Sequence, residues 1–126
     1  MQERHLIAYA AINLFIAIAA GAFGAHGLKA ILSTEMLSIW QTAVQYQMLH
    51  GLALLALANF YPRWKTKPIR LSAICMLVGI VLFSGSLYLL AWTGVRVLGA
   101  ITPIGGVAFL MAWAILLWAA LTDKSK

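Results

Sequence analysis

Acidic residues are almost missing. Glu3, Glu35 and Asp123 are the only three among 126 residues, and all lie outside the apolar runs. Without a carboxylate inside those runs, there is no membrane-embedded acid to relay protons or bind a cation. Cysteine is scarcer: Cys75 stands alone in an apolar run, so no intrachain disulfide forms and the redox compartment is left unread. Charged residues of both signs make up 10% of the chain, against about 25% in an ordinary soluble domain. Such a chain cannot cover its own apolar surface in water, and lipid is the solvent that removes the difficulty. Metal ligation would rest on His26 and His50 alone, with no Cys, Asp or Glu at ligand spacing. Ser84 or Ser86 beside His50 imitates a nucleophile and base, but no buried acid orients the imidazole. No glycine-rich loop follows a strand, so nucleotide binding has no support. The expectation is a chain that is not an enzyme and carries no cofactor and no metal.

What is present is apolar: 63% of the residues are hydrophobic. A membrane-spanning helix needs roughly 20 mostly apolar residues. Leu6–Ala25, Leu71–Trp92 and Ile101–Leu121 each fit, and Met48–Tyr61 fits once extended back to Thr42. The expected fold is an all-α integral membrane protein. It has a single domain, 1–126, of four transmembrane helices in one bundle, over about 6–26, 42–61, 71–92 and 101–121. The first run exceeds the roughly 7–15 apolar residues of a signal peptide and is expected to be retained. Between the first two helices, Leu28, Ile31, Leu32, Met36, Ile39 and Trp40 recur at helical spacing, which predicts a short amphipathic segment in the outer interface. The alternative is that these residues begin a long, kinked second helix.

The net charge of +6 is concentrated in short segments between the runs. Arg4, Arg63, Lys65, Lys67, Arg70, Lys124 and Lys126 fall on one side, against Lys29 and Arg96 on the other. The positive-inside rule then puts both termini and the 62–70 connection in the cytoplasm of a multi-pass protein of the plasma (bacterial inner) membrane. The basic residues form no face free to reach phosphates, so nucleic acid is not an expected partner.

Two sets of residues stand out within the runs. The first is small: Gly21 and Gly24 share a stripe with Asn13, Ala17 and Ala20. Gly79 belongs to a second stripe, and Gly105, Ala108 and Ala112 to a third. In lipid such stripes let helix backbones approach closely. Gly27 is expected to end the first helix. The second set is polar and shares one leaflet: Thr42, Gln45, Tyr46 and His50 in the outer half of the second helix, Ser84, Ser86 and Tyr88 in that of the third, Thr102 opening the fourth, and His26 at the mouth. His50 lies about eight residues below Thr42, roughly 12 Å along the helix axis. Polar groups at such depth face a bundle interior or a water-filled cavity. They form either a polar chamber open to the outer side or a hydrogen-bonded network that fixes the bundle.

The segments "GAFGAHGL" at 21–28, "WQTAVQYQMLH" at 40–50, "FSGSLYLL" at 83–90 and "GAITPIGGVAFLMAW" at 99–113 occur in this order. They resemble the YgdD/YwdK family of small bacterial inner-membrane proteins, which has a similar transmembrane protein in eukaryotes. The resemblance covers nearly the whole chain and implies a four-helix membrane protein, without supplying an activity. Its signature positions here are Gly24, His26, Gly27, Trp40, Tyr46, His50, Ser84, Gly85, Ser86, Tyr88, Thr102, Pro103, Gly105 and Gly106. Two readings of function follow. One is a non-enzymatic structural or accessory component, partnered by the lipid bilayer and by further copies of itself or another membrane protein. The other is a channel or transporter for a small neutral solute that uses the polar chamber.

Overall fold

The computed structural model describes residues 1–64 and 66–123, Thr66 by its backbone alone. Lys65, Lys124 and Lys126, three of the seven basic residues assigned to one face, lie outside the described residues. Five α-helices are present among the described residues: α1 (Glu3–His26), α2 (Thr34–Phe60), α3 (Thr66–Gly79), α4 (Gly85–Thr93) and α5 (Thr102–Thr122). A π-helical segment, Ile80–Ser84, joins α3 to α4 without a break, and short 3₁₀ turns occupy Leu28–Ala30 and Arg96–Ala100. No strand occurs among the described residues.

Helix is what these sequences must form in lipid, where every backbone polar group has to be satisfied within its own segment. The ends are set by specific residues. The Ser33 hydroxyl caps α2 by accepting from the Met36 N–H at 3.1 Å. Gly94, with φ 73°, ends α4 in the left-handed conformation, and its N–H donates to the Leu90 carbonyl at 2.7 Å. Pro103 occupies the first turn of α5, where its missing N–H costs nothing.

The separate amphipathic segment expected before residue 42 is largely replaced by helix. Nothing from Thr34 onward breaks the period, so residues 34–41 are the first two turns of α2. Only 27–33 remain as a connection, and α1 ends at His26 with Gly27 as its cap. Glu3–His26, Lys67–Thr93 and Arg96–Thr122 are long and apolar enough to cross a membrane. The remaining long helix, α2, has the length at 27 residues, but Gln41, Gln45, Gln47, His50 and Asn59 dilute its apolar character.

α2 is nevertheless the centre of the packing. α1 lies along one side of it, the π segment and α4 along another, and α5 packs on α3 and the π segment. One end of the molecule holds a core of Leu6, Leu54, Leu57, Ile69, Met76 and Phe109. A smaller cluster at the opposite end joins Ala43 to Leu87 and Leu90. At the first end the Tyr61 hydroxyl donates to the Met1 carbonyl at 2.6 Å, and the Trp64 indole donates to Asp123. The start of the chain, the 61–64 connection and the end of α5 therefore share one face of the molecule.

Candidate functional site

The inward stripe of α2 reads Ala43, Val44, Gln47, His50, Gly51, Leu54, the three-and-four spacing of one helix face. Gln47 and His50 bring polarity onto that stripe, and each is met by a partner from another helix. The Asn13 side-chain amide of α1 donates to the Tyr9 carbonyl at 2.8 Å. Its oxygen therefore faces Gln47, which donates to it at 3.1 Å. That leaves the Gln47 oxygen to accept from the Tyr88 hydroxyl of α4 at 2.8 Å. One amide thus ties three helices, and the donor and acceptor inventory admits only this orientation of the two amides. Above it the Trp40 indole donates to the Ala20 carbonyl at 2.8 Å and meets Tyr88 edge-on, with ring centres 4.7 Å apart. The indole fits because Gly24 has no side chain: a Cβ there would stand 2.8 Å from it.

A second set binds the π segment. Buried Ser84 donates to the Ala43 carbonyl of α2 at 2.8 Å. Ser86 donates to the Phe83 carbonyl at 2.9 Å, which leaves its oxygen to take the Thr102 hydroxyl proton at 2.6 Å. At the opposite end Ser72 donates to the Ala112 carbonyl at 2.9 Å.

His50 is the third centre and is 2% exposed. Its Nε2 accepts from the Trp113 indole of α5 at 3.1 Å, and its Nδ1 lies 2.9 Å from the Tyr46 carbonyl. An indole can only donate and a carbonyl can only accept, so the ring is the neutral tautomer with its proton on Nδ1. Phe109 stacks on the imidazole at 3.6 Å and 7°. Phe109 in turn lies over Gly79, where a Cβ would come within 2.3 Å of it. Beside this stack, between α2, the π segment and α5, is a cleft of about 450 Å³.

Residues 20–106 match a family model described as a protein of unknown function, DUF423, which covers more than half of the chain. The chain belongs to this family. The UPF0382 inner membrane protein YgdD of Escherichia coli is 41% identical over 126 residues, all of this chain and 96% of that protein. The UPF0382 membrane protein YwdK of Bacillus subtilis is 45% identical over 87% of this chain and 90% of its own length. A UPF0382 membrane protein of Staphylococcus epidermidis, SERP0230, is 49% identical over 88% of this chain and 90% of its own. No solved structure matches. With these relatives and its apolar helices, the chain is a membrane protein.

In this DUF423 chain the nine polar positions expected in the outer half fall into separate groups. Ser86 and Thr102 meet; Tyr88 pairs with Gln47; His50 pairs with Trp113; Ser84 bonds to backbone. Thr42 bonds back to the Ser38 carbonyl of its own helix. His26 is exposed at the end of α1, and Gln45 is exposed on α2. Tyr46, on the arc with Thr42 and His50, turns to the flank and is 38% exposed, while Gln47 takes the inward place. Among the packing positions, Gly24, Gly79, Gly105 and Ala112 are buried, and Gly21 and Ala108 are half-buried. Gln47, Phe109 and Trp113 are not among the site residues expected from sequence, and Asn13 is expected only as a member of the small-residue stripe. The signal for Trp113 was its N–H, which seeks an acceptor when it is placed in hydrocarbon.

At the face opposite the chain start and the end of α5, Arg96 grips Glu35 with two hydrogen bonds of 2.9 and 3.3 Å. The guanidinium's hydrogen bond, and then its charge, hold the Glu35 carboxyl below its ordinary range. This exposed pair joins the start of α2 to the turn before α5.

Proposed function

We propose that the chain is a four-span component of the bacterial inner membrane, with both termini cytoplasmic, that works without catalysis by associating with copies of itself or with another membrane protein. The observation that carries this reading is how the interior polar groups are used. Asn13, Gln47 and Tyr88 are bonded across three helices, and His50 is bonded to Trp113 across two, which favours a body locked for assembly. α2 is the fourth span in this reading. Its length gives about 40 Å at 1.5 Å per residue, and its polar residues at 47 and 50 are shielded by α1, α4 and α5 rather than by lipid. The outward side supports association: α1 packs on α2 and leaves Ile12, Phe15 and Ile18 exposed along its other face. The basic residues Arg4, Arg63, Lys67 and Arg70, at the end where the chain starts and α5 finishes, favour the cytoplasmic assignment.

Extraction in native-lipid nanodiscs followed by mass measurement tests the reading. The expected particle contains more than one protein chain at fixed stoichiometry. Particles holding a single 13.7 kDa chain and lipid alone would overturn it.

A further inference from the structure

The cleft of about 450 Å³ between α2, the π segment and α5 has the size of a small-molecule site. Its rim is apolar and outward-facing: Leu49 is 54% exposed, Val107 55% and Leu110 71%. In a membrane protein that rim faces hydrocarbon, so an occupant enters sideways from the bilayer. The walls are aromatic, and three of the five rings share an orientation, while Phe83 and Trp113 are tilted from their neighbours by 42–58°. The rings of Tyr46 and His50 lie 12° from parallel, those of Tyr46 and Phe109 18°, and those of His50 and Phe109 7°. Such a wall suits the face of a flat ring better than a bent acyl chain.

One polar atom is unspent. The Tyr46 hydroxyl makes no hydrogen bond among the described residues, although the same residue's carbonyl serves His50. Set on a flank that faces hydrocarbon in a membrane protein, the phenol offers its proton to an acceptor on whatever fills the cleft. The π segment is the second sign. Single π turns within α-helices concentrate at functional sites, and this one presents Phe83 to the cleft while Ser84 anchors it to α2.

We infer that this cleft binds a planar apolar ring carrying a carbonyl oxygen, of the quinone class dissolved in the bilayer, with the ring among the aromatic side chains of the cleft and the carbonyl accepting from the Tyr46 hydroxyl at its edge. The site is independent of whether the chain assembles with partners.

The test titrates two probes into the protein in lipid nanodiscs: decyl-substituted benzoquinone, and decylbenzene, which has the same tail and no carbonyl. The reporter is the NMR signal of the Trp113 indole N–H, which lines the cleft and is assigned by its loss in Trp113→Phe. A saturable shift is expected with the quinone. Tyr46→Phe, which keeps the backbone contact to His50, weakens binding roughly fivefold, the value of one ordinary hydrogen bond. Gly106→Leu abolishes it by filling the cleft. A Cβ at Gly106 meets only Phe83 ring atoms, at 3.8 and 4.0 Å, so the backbone accepts the change. Val107→Phe fills the same space if that variant does not fold. Decylbenzene binds no better than the quinone binds to Tyr46→Phe. A shift that never saturates, equal affinity for both probes, or full quinone affinity in the folded filled variant would each overturn the assignment. Equal affinity for both probes would mark the cleft as an acyl-chain groove.

Discussion

Gly105→Ala is the most demanding single-atom perturbation this fold offers. A Cβ added at Gly105 would stand 2.3 Å from the Phe83 backbone nitrogen and 2.7 Å from the Leu82 carbonyl carbon. Both are backbone atoms of the π segment, so no side chain can rotate away. Ordinary contact begins near 3.4 Å, and 3.4 less 2.3 leaves α5 to retreat by about 1.1 Å. Overpacking of this kind costs about 1–3 kcal/mol. The same retreat stretches Ser86–Thr102 from 2.6 Å, Ser72–Ala112 from 2.9 Å and Trp113–His50 from 3.1 Å. At about 0.6 kcal/mol for an average hydrogen bond inside a membrane protein, two or three of these bring the loss to roughly 2–5 kcal/mol. Gly21→Ala is the matched control, because its Cβ meets only a Val44 methyl at 3.3 Å, and it should cost under about 1 kcal/mol. Reversible unfolding in mixed micelles, followed by tryptophan fluorescence, measures both. If Gly105→Ala is as stable as Gly21→Ala, the close approach of α5 to the π segment is wrong, and with it the basis of the fold's tight half.

Gln47→Leu should destabilise by about 1–3 kcal/mol, because it strands the Asn13 oxygen and the Tyr88 hydroxyl inside the bundle. The triple change Asn13→Leu, Gln47→Leu, Tyr88→Phe should recover part of that loss in the same unfolding assay. For Glu35 the folded carboxyl sits below its unfolded value because of Arg96, so the pair stabilises above the unfolded value and fades as pH falls through the folded one. The thermal stability gap between wild type and Arg96→Gln should therefore be present at neutral pH, close in acid, and shrink in high salt. A reporter fused to the C-terminus should read cytoplasmic and one inserted within 28–33 should read outside; the reverse pattern would overturn the orientation.

The helical runs were legible because lipid leaves a long apolar segment no other structure; of the small-residue positions, Gly105 meets the backbone of the π segment, while Gly24 and Gly79 make room for the Trp40 and Phe109 rings. The start of α2 was harder. Residues 34–41 are amphipathic, and that pattern fits an interfacial segment as well as the exposed first turns of a longer helix; Ser33 as the cap decides between them. Pairing was hidden for a different reason. A periodicity gives the direction of a side chain to within about one residue's rotation of 100°, and that margin separates Tyr46 from Gln47. The polar set expected on the second helix counts Tyr46 and omits Gln47, one residue on, which takes the place on the buried stripe. A π turn adds to the uncertainty, since no propensity marks Ile80–Ser84 as anything but α-helix.

His50 shows where depth and direction suffice and where they stop. Its position below Thr42 and its neighbours on the wheel place the ring inside the bundle, which the structure shows at 2% exposure. Which nitrogen holds the proton depends on Trp113, sixty-three positions away in sequence. Because the indole donates to Nε2, the proton must stay on Nδ1, shared with the Tyr46 carbonyl. In protein labelled with ¹⁵N at histidine, the His50 ring at pH 7 should give the pattern of a bare Nε2 and a protonated Nδ1. Trp113→Phe removes the donor, and the population of the opposite tautomer should then rise, while Tyr46→Phe, which keeps its backbone carbonyl, leaves the pattern unchanged. A wild-type ring protonated on Nε2 would mean that α5 is turned relative to α2 by enough to separate Trp113 from His50, and the aromatic wall built on that register would go with it.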